Sequence, residues 1–373
     1  MTKSFKPAKG VRASELCPSS YFDEATFKRE LDQIFASNWL FVGLTDQLQE
    51  RNSFITMQVG PYPILVQNFK SGLSAFLNIC SHRKAKLQQQ EQGKRPLICP
   101  YHGWSFGSDG CPLKIPDNDA SFMTTTESRE KLALERLQVE TCGRFVFVRI
   151  SQHGPSLSDF LLEYREVLEH LSNVMGPVYK SEQLNWATNW KIGVESVMEV
   201  YHVKPVHKDS FSSMTRDGWD CSYAGKHNIG TSYLSPKSTK WWGSIKSKLV
   251  MQASELYSDY DHFFIYPNLA IGITSGASIS IQTYLPDRPE SCRLHYRLAI
   301  AKNALNSKRS AALSRAVTNS LANFNTQVLE EDRVISEDVQ KGFMVTKKKP
   351  VYGNCEGRIQ HFHHSLLEDL SDP

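Results

Sequence analysis

The sequence predicts an α+β protein of about two domains, with an all-β domain in its N-terminal half and helices mixed with strands in the remainder. The chain has 373 residues, 40% of them hydrophobic, which suffices for two packed cores. Between about 40 and 150, short β-rich runs alternate with glycine and proline. From about 155 onwards, amphipathic segments alternate with strand-like runs, and this indicates the mixed class.

The N-terminal elements are a helix and a series of strands. The helix is predicted over 20–39, because apolar residues behind polar capping candidates recur at helical spacing, namely Phe27, Leu31, Ile34 and Phe35. The strands of the β domain are predicted at runs rich in β-branched and aromatic residues, namely 53–60, 63–69, 73–79 and 143–150.

The C-terminal elements begin with an amphipathic helix over 156–171. Its apolar face consists of Phe160, Tyr164, Val167 and Leu171. Strands are predicted at 262–273, 278–285 and 292–301. A long helix is predicted over about 308–341.

Composition argues against several classes of protein. A net charge of +4 does not by itself indicate nucleic-acid binding, and no apolar run is long enough to span a membrane. The basic N-terminus is not followed by the apolar stretch of a secretory signal. The eight cysteines are scattered, so metal binding by the closely spaced ones is a better interpretation than a disulfide framework. We therefore expect a cytoplasmic protein that contacts neither nucleic acid nor membrane.

Two Cys–His pairs lie in the β domain, Cys80-x-His82 and Cys99-x-x-His102, with sixteen residues between them. Thiolate and imidazole are ligands for zinc or for an iron–sulfur cluster. A structural zinc site remains an alternative, but each short loop supplies one cysteine and one histidine, whereas a zinc finger groups like ligands. The pattern favours a [2Fe–2S] cluster with one iron on the two cysteines and the other on the two histidines.

A second cluster of metal-ligand types lies in 189–207, where Glu199, His202 and His207 occur. We expect a helix there, on which Glu199 and His202 are three apart and share a face. His207 does not share that face. Pro205 is expected to end the helix, so that both histidines converge on one point. Two histidines alone are more often a coincidence of packing, so this interpretation needs a third ligand.

Asp332 is the third candidate, and the apolar stripe of the long helix points to it. The stripe has a gap between Val328 and Ile335, and the missing position falls on Asp332. The stripe consists of Leu313, Val317, Leu321, Phe324, Val328, Ile335 and Val339. A buried carboxylate must be paired or metal-bound, whereas Glu330 and Glu331 are expected to be solvated. Two histidines and one carboxylate form the facial triad of non-heme Fe(II) oxygenases.

The sequence resembles the Rieske non-heme iron oxygenases. The segments that carry the resemblance, in order along the chain, are CSHR…CPYHGWSF, NWK…E..YH....H, YPNLAI and HFHHSLLEDL. It implies a Rieske [2Fe–2S] domain over 40–155 and a catalytic domain over 1–39 and 156–373. In the catalytic domain a central antiparallel sheet flanked by helices would hold mononuclear Fe(II). By the same resemblance, the iron ligands are His202, His207 and Asp332.

The resemblance also assigns a role to Glu199. It matches a carboxylate that bridges the iron ligands of one subunit to the Rieske ligands of its neighbour, in a homotrimer. Two positions depart from the family pattern. Lys84 follows the arginine of the first motif, where many members have a small residue, and Glu199 stands where many ring-hydroxylating members have aspartate.

The activity that the resemblance implies is that of a terminal oxygenase. Such an enzyme takes electrons from NAD(P)H, through a flavin/iron–sulfur reductase or a ferredoxin, and inserts oxygen from O2 into a small organic substrate. The moderate length and Glu199 favour monooxygenation or oxidative dealkylation of an alkylammonium or other aliphatic group over aromatic-ring hydroxylation. The competing classes are a Rieske electron-transfer protein and a zinc-stabilised binding module.

Two further groups of residues carry expectations about ligands. Segment 208–260 is expected to line or cover the substrate pocket, and its aromatic residues form a candidate cage for a quaternary ammonium, namely Trp219, Tyr223, Tyr233, Trp241 and Trp242. Each of them taken alone is more typical of a core or lid residue. A basic group around the Cys–His pairs is either a docking surface for an acidic electron donor or an ordinary solvated face, and consists of Arg83, Lys84, Lys86, Lys94 and Arg95.

Overall fold

The computed structural model describes residues 5–7, 9–216, 218–304 and 307–371. They divide into two compact units. The smaller unit is Phe35–Phe160, and the larger unit contains the chain up to Ile34 and from Leu161 onwards. Among the described helices, none combines the length and the apolar character that a bilayer crossing requires.

The N-terminal segment contains a short strand, β1 (Arg12–Ala13), a 3₁₀ turn (Pro18–Tyr21) and helix α1 (Glu24–Glu30), which continues as a π-helical turn (Leu31–Phe35). Helix α1 begins at Asp23, whose Oδ2 accepts a hydrogen bond from the backbone N–H of Thr26 at 2.7 Å. The predicted helix is therefore confirmed over 24–35, and it is shorter than expected at both ends.

The smaller unit is built on a seven-stranded antiparallel sheet with the order β2-β10-β9-β5-β4-β3-β6. Its strands are β2 (Leu40–Leu44), β3 (Ser53–Val59), β4 (Tyr62–Phe69), β5 (Gly72–Leu77), β6 (Gln92–Lys94), β9 (Arg136–Cys142) and β10 (Phe145–Arg149). A separate hairpin pairs β7 (Ser105–Phe106) with β8 (Pro112–Lys114). Short helical segments follow at 118–122 and at α2 (Thr126–Glu130). The four strands predicted in this part of the chain are all present.

Two helices lie where one was predicted, at the point where the chain passes from the smaller unit to the larger one. Helix α3 (Leu157–Leu161) and helix α4 (Tyr164–Val174) are separated at Leu162, which has a φ of +51°. A left-handed residue cannot continue a right-handed helix, so the ladder of hydrogen bonds stops there. Hydrophobic periodicity does not detect a single left-handed residue, so the sequence predicted one continuous helix.

The central sheet of the larger unit has seven antiparallel strands in the order β11-β17-β16-β15-β14-β13-β12. They are β11 (Met175–Trp186), β12 (Asp220–Ala224), β13 (His227–Ser232), β14 (Tyr260–Ile265), β15 (Leu269–Thr274), β16 (Ser278–Arg288) and β17 (Ser291–Ala301). The single run predicted over 262–273 is in fact β14 and β15, because Pro267 lies in the turn between them and proline is excluded from strand interiors.

The remaining helices of the larger unit are α5 (Trp190–Glu195), α6 (Val203–Val206), α7 (Pro236–Leu249), α8 (Lys308–Val345) and α9 (Gly357–Ser371). A short strand, β18 (Val351–Tyr352), pairs with β1. The predicted α+β class is therefore confirmed, with a β unit first and an antiparallel sheet with long helices after it.

Helix α8 buries Asp332, as the apolar stripe predicted. The burial predicted for the stripe residues after Asp332 is wrong. Ile335 and Val339 are 41% and 40% exposed, whereas Ser336 and Gln340 are buried. These polar residues face the segment that precedes α5. The Thr188 hydroxyl donates to the carbonyl of Ser336 at 3.2 Å, and the backbone N–H of Asn189 donates to Gln340 Oε1 at 2.8 Å. Hydrogen bonds, rather than apolar burial, select this face of the helix.

A buried ion pair fixes helix α5 to helix α1. Lys191 Nζ lies 2.6 Å from Glu30 Oε1, and the indole N–H of Trp190 donates to Glu30 Oε2 at 2.8 Å. All three side chains are buried. Because α5 leads directly into the segment that carries Glu199 and His202, this pair positions that segment within the larger unit.

We expect Glu30→Ala to lower the free energy of unfolding by about 3–5 kcal/mol, because it leaves the Lys191 ammonium buried without its partner. The matched control is Asp338→Ala, which removes an exposed, solvent-screened ion pair with Lys341 and should cost far less. Urea unfolding followed by tryptophan fluorescence measures both. Equal destabilisation by the two substitutions would contradict a positioning role for the buried pair.

Candidate metal centres and substrate cavity

The two Cys–His pairs lie on loops with the same backbone pattern, residues 80–85 and 99–104, here called the cluster loops. In each, the cysteine carbonyl accepts from the residue four positions later, Lys84 or Gly103, at 3.0 Å. The cysteine N–H donates to the carbonyl five positions later, at 2.8 and 2.7 Å. Lys84 and Gly103 both have a positive φ, +60° and +73°. Such a closed turn holds the cysteine and the following histidine on one side of the loop.

The side chains of the cluster loops converge. The rings of His82 and His102 are 4.7 Å apart, and the thiols of Cys80 and Cys99 lie within hydrogen-bonding reach of each other. The Nδ1 atoms of both histidines are buried, and within the described chain they have no hydrogen-bond partner. Two unpaired imidazole nitrogens beside two buried thiols are a donor set that fits a metal cluster.

The two histidines of the cluster loops have different surroundings. His82 is stacked on Trp104, with ring centroids 4.7 Å apart and an angle of 4° between the planes. His102 instead contacts Tyr101, which is exposed. The guanidinium carbon of Arg83 lies 5.1 Å from the centroid of the Tyr101 ring. Burial, followed by the neighbouring His102 and Arg83, lowers the pKa of His82 and favours the neutral form that binds metal.

In the larger unit, His202 and His207 lie at the two ends of one short helix, α6. His202 is its N-cap and His207 its C-cap. Two sequence predictions are corrected here. Glu199 is not helical, because α5 ends at Glu195 and residues 196–202 form turns. Pro205 does not end a helix but lies in the first turn of α6, where its missing N–H would have no intrahelical partner.

His202, His207 and Asp332 meet at one point, as the sequence predicted. His202 Nε2 lies 3.2 Å from His207 Nε2, and Asp332 Oδ1 lies 3.5 and 3.2 Å from these two nitrogens. All three atoms lie within 4.8 Å of one another. Asp332 Oδ1 is buried and makes no well-aligned hydrogen bond with any described residue. The three lone pairs can therefore converge on a single cation, which is the geometry of a mononuclear metal site.

Two further carboxylates hold the imidazoles from behind. Glu199 Oε1 is hydrogen-bonded to His202 Nδ1, and Glu331 Oε2 lies 2.7 Å from His207 Nδ1. Glu331 also accepts from the Ser210 hydroxyl at 2.6 Å. A carboxylate on the far nitrogen fixes the ring orientation and leaves Nε2 free for metal.

The prediction that Glu331 is solvated is therefore wrong. Glu331 adjoins Asp332 at the edge of the buried face of α8, and an apolar stripe does not predict which edge positions are buried. Glu330 behaves as predicted, because it forms an exposed ion pair with Arg333.

The charges at this site favour a bound cation. Burial alone would lower the pKa of His202, but the carboxylates of Asp332 and Glu199 outweigh it and raise the pKa to about 10. Burial would likewise lower the pKa of His207, but the carboxylates of Asp332 and Glu331 outweigh it and raise that pKa. Burial would raise the pKa of Asp332, but the two histidines outweigh it and lower that pKa. Without metal the imidazoles take up protons, and a divalent cation would replace them.

A cavity of about 340 Å³ opens beside the three metal-site residues. Its lining combines serine and other polar residues with six aromatic residues, namely Phe211, Trp219, Trp241, Trp242, Tyr260 and Phe324. Segment 208–260 thus lines the cavity, as predicted. Of the five aromatic residues proposed for a cage, Tyr223 and Tyr233 are not in the walls. Tyr223 packs on Phe5 and His361, and the exposed Tyr233 donates to Asp220 at 2.9 Å.

The basic group around the cluster loops is smaller than the sequence suggested. Lys94 forms an ion pair with Glu50, and the guanidinium of Arg95 donates to the backbone carbonyls of Leu87 and Ile98. The three exposed cations that remain are Arg83, Lys84 and Lys86. The eight cysteines are all free thiols.

Comparison with known families matches both units. The family "Ring hydroxylating alpha subunit (catalytic domain)" matches residues 175–372, and the "Rieske [2Fe-2S] domain" matches residues 38–135. Among solved structures, a quaternary ammonium Rieske monooxygenase in complex with L-carnitine has a TM-score of 0.78 at 21% identity, covering 96% of each chain. Naphthalene 1,2-dioxygenase from Rhodococcus sp. has a TM-score of 0.71 at 16% identity, covering 95% of this chain and 94% of that one. Both similarities are at low sequence identity, so they show that the fold is shared and nothing further.

Curated relatives include the glycine betaine monooxygenase oxygenase subunit of Pseudomonas aeruginosa, 30% identical over 202 residues. That match covers 54% of this chain and 46% of the relative, so it spans about half of the relative's length. Chloroplastic choline monooxygenase from Atriplex hortensis is 27% identical over 387 aligned residues, covering 99% of this chain and 82% of that protein. The N,N-dimethyl phenylurea N-demethylase subunit alpha of Sphingobium sp. is 31% identical over 52% of this chain and 44% of its own.

Removal of metal should make stability decline with rising pH. The pKa of His202 is raised from 6.5 to about 10 in the folded, metal-free protein. Its contribution to stability is therefore fully present below about pH 6.5 and is lost as the pH rises through about 10. We expect the thermal unfolding midpoint of chelator-treated protein, measured by circular dichroism, to fall across this window.

Two controls isolate the His202 contribution. His202→Gln removes the titrating ring, so its midpoint should fall less over the same window. The unfolding midpoint of protein loaded with Fe(II) should also fall less over this window, because a metal-bound imidazole does not take up the proton. If the metal-free wild-type protein and the variant show the same pH dependence, the charge coupling described here is wrong.

Proposed function

The chain belongs to the Rieske non-heme iron oxygenases as their catalytic alpha subunit, and on that premise we propose that it oxidises an alkylammonium or other aliphatic group by monooxygenation or oxidative dealkylation. It carries a Rieske [2Fe–2S] domain and a His-His-Asp mononuclear iron site. The observation that carries the proposal is the cavity, in which the metal-site residues share one space with six aromatic side chains.

The proposed ligands follow from the unpaired donors. Cys80 and Cys99 would hold one iron of the cluster, and His82 and His102 the other, through their Nδ1 atoms. His202, His207 and Asp332 would hold the mononuclear iron. When bound, the cluster supplies single electrons, and the mononuclear iron supplies activation of O2.

The side chains of this unit perform the remaining tasks. Glu199 and Glu331 hold the imidazoles so that both Nε2 atoms face the cavity. Three protein ligands leave coordination positions open on the cavity side. The aromatic wall excludes water, and its ring faces attract a cationic nitrogen by cation–π interaction. A methyl carbon next to that nitrogen can then lie at the metal site.

The substrate class is supported by the relatives and by the balance of the reaction. The three curated relatives are named for glycine betaine, choline and N,N-dimethyl phenylurea, which all contain a methylated nitrogen. One N-methyl group, O2, two electrons and two protons give N-hydroxymethyl and water. The hydroxymethyl group then leaves as formaldehyde, its O–H proton passes to solvent or to the amine, and the amine nitrogen retains the electron pair of the broken C–N bond. NAD(P)H supplies the two electrons through a reductase.

The partners are also part of the proposal. Glu199 lies beside Tyr201, whose side chain is 74% exposed, so the back of the iron site is close to the surface. We place a neighbouring subunit there, with its Rieske histidine reaching toward Glu199 in a homotrimer. The exposed cations Arg83, Lys84 and Lys86 suit an acidic flavin/iron–sulfur reductase or ferredoxin. The cytoplasm stays the expected compartment.

Ring hydroxylation is the alternative within the same family. The fold likeness to naphthalene 1,2-dioxygenase and the aromatic walls are compatible with a flat, uncharged substrate. The outcome of a product analysis separates the two functions, because dealkylation releases formaldehyde whereas dihydroxylation of a ring does not.

The test is a substrate screen with iron-loaded protein, a surrogate reductase and NADH. We expect O2 uptake and formaldehyde release with tetramethylammonium or glycine betaine, identified by product masses. His207→Ala should lose this activity while it keeps the visible absorption of the cluster, since its ligands lie in the other unit. Oxygenation of naphthalene to a diol, with no turnover of any methylated amine, would replace the proposed function with ring hydroxylation.

We expect Glu199→Gln to interrupt electron transfer without removing either metal centre. The amide keeps the shape of the side chain but loses the charge that orients His202 and, in the proposed trimer, the neighbour's Rieske histidine. The cluster should still be reduced by its partner, whereas single-turnover oxidation of the cluster with substrate and O2 should slow by at least about a hundredfold, a loss of roughly 3 kcal/mol. Stopped-flow absorption measures this rate.

Glu199→Asp is the matched control, because it keeps the charge and shortens the reach, and it should be less harmful. A Gln variant with a normal transfer rate would leave Glu199 as an orienting group alone. A Gln variant that loses the mononuclear iron would make it a support of the metal site rather than a bridge.

A further inference from the structure

One wall of the cavity carries buried polar atoms that have no partner among the residues the structure describes. His262 on β14 is 2% exposed and lines the cavity, and its Nε2 is unpaired. The indole nitrogen of Trp219 and the hydroxyl of Ser280, both from cavity-lining residues, are unpaired as well. Unpaired buried polar groups are costly, so a ligand that accepts hydrogen bonds would be favoured at this wall.

Behind this wall lies Arg358, which is fully buried. Its Nε donates to Asn228 Oδ1 at 2.6 Å and its Nη2 to His262 Nδ1 at 3.1 Å. Its Nη1 is unpaired, and its guanidinium lies 5.1 Å from the ring of Trp219. No carboxylate in the described parts of the chain forms an ion pair with it. Burial lowers the pKa of Arg358 only to about 10, so it stays charged at neutral pH.

Arg358 also fixes the proton of His262. A guanidinium can only donate, so His262 Nδ1 must accept, and the neutral ring carries its proton on Nε2. Burial, and then the charge of Arg358, lower the pKa of His262 well below its ordinary value. His262 therefore presents an N–H donor to the cavity rather than a lone pair.

The glycine at residue 230 makes room for this arrangement, whereas a side chain at residue 272 would meet only ordinary contacts. His262 pairs with Gly230 on β13 and with Gly272 on β15. A Cβ at residue 230 would lie 2.1 Å from the indole of Trp219, so only glycine lets that ring lie flat against β13. At residue 272, which lines the cavity, a Cβ would lie 3.4 Å from the Tyr260 hydroxyl.

The cavity is electrostatically asymmetric. A row of rings leads from the metal site to His262, with centroid distances of 6.3 Å from His207 to Phe211, 4.9 Å from Phe211 to Tyr260 and 6.3 Å from Tyr260 to His262. The acidic residues that line the cavity, Glu199 and Asp332, both belong to the metal site. The cations are the exposed Lys237 in the lining and the buried Arg358 behind His262.

We propose that His262 and Trp219, backed by Arg358, form a subsite for a carboxylate group of the substrate. The substrate is then a zwitterion, whose carboxylate accepts from His262 Nε2 and Trp219 Nε1 and whose ammonium group lies over the aromatic row toward the metal. The ammonium part rests on the proposed function, but the carboxylate part depends only on the donors. Arg358 is a positioning residue, because it acts through His262 and through its charge.

Two probes separate the ends of the site. The anion 3,3-dimethylbutanoate has a carboxylate and an uncharged tert-butyl group, whereas tetramethylammonium has the cation and no acceptor. Calorimetric titration of anaerobic, iron-loaded protein should show that His262→Phe and Trp219→Phe each weaken 3,3-dimethylbutanoate binding by about ten- to a hundredfold. Binding of tetramethylammonium should change by less than about twofold, since an aromatic face remains.

Trp242→Phe is the matched control, because Trp242 lines the same cavity but its ring nitrogen is not among the unpaired atoms. It should affect the carboxylate probe no more than the cation probe. Arg358→Gln, checked for folding by circular dichroism, should weaken 3,3-dimethylbutanoate binding more than binding of the uncharged 3,3-dimethylbutanol. A purely structural role of Arg358 would weaken both equally.

The outcomes distinguish this subsite from the proposed function. Wild-type protein that does not bind 3,3-dimethylbutanoate, or His262→Phe that binds it as wild type does, overturns the subsite. Carboxylate binding that depends on His262, together with no binding of tetramethylammonium, upholds the subsite and removes the ammonium part of the proposed function. Turnover of tetramethylammonium, together with binding of 3,3-dimethylbutanoate that does not depend on His262, overturns the subsite and upholds the proposed function.

Discussion

The larger unit is organised around one costly constraint, the burial of the Asp332 carboxylate next to two imidazoles. A carboxylate in that position must be compensated by positive charge. The two imidazoles supply it when they are protonated, and a divalent cation would supply it at the point where the three ligand atoms meet. The imidazoles can serve only if their far nitrogens are held, and Glu199 and Glu331 hold them. Helix α8 supplies Asp332 and Glu331 together, and its polar face fixes the segment that precedes α5. The ligands come from distant parts of the chain, so the fold has to bring them together before any metal binds.

The two cluster loops obey a different constraint, since their backbone rather than a charge network places the ligands. The same pair of hydrogen bonds closes each loop around its cysteine. The left-handed residue that each closure requires is Gly103 in one loop and Lys84 in the other. Glycine adopts that conformation freely, whereas lysine does so at some cost. The departure from the family pattern at Lys84 is therefore a matter of backbone strain as well as of surface charge.

The closely spaced cysteine and histidine ligands could be predicted from the sequence, because metal coordination restricts both the residue type and the separation. Asp332 was readable from helical periodicity, since an acid in an apolar stripe is conspicuous. Periodicity failed where hydrogen bonds select the buried face, and so Ser336 and Gln340 replace Ile335 and Val339 inside. It also gave no account of Glu331, which is recognisable only once His207 is known to lie opposite. The helix expected at Glu199 was wrong, because turn residues 196–202 have no periodic signature. Arg358 and His262 were missed entirely, since a single buried arginine in α9 has no sequence pattern that marks it.

The close approach of Trp219 to Gly230 means that the shape of the cavity depends on the absence of a single methyl group. Any side chain at residue 230 would displace the indole, and with it one of the unpaired donors, while the metal ligands on other elements would be untouched. If the cavity binds substrate as proposed, the identity of residue 230 would therefore limit which substrates fit, while the iron ligands kept their positions.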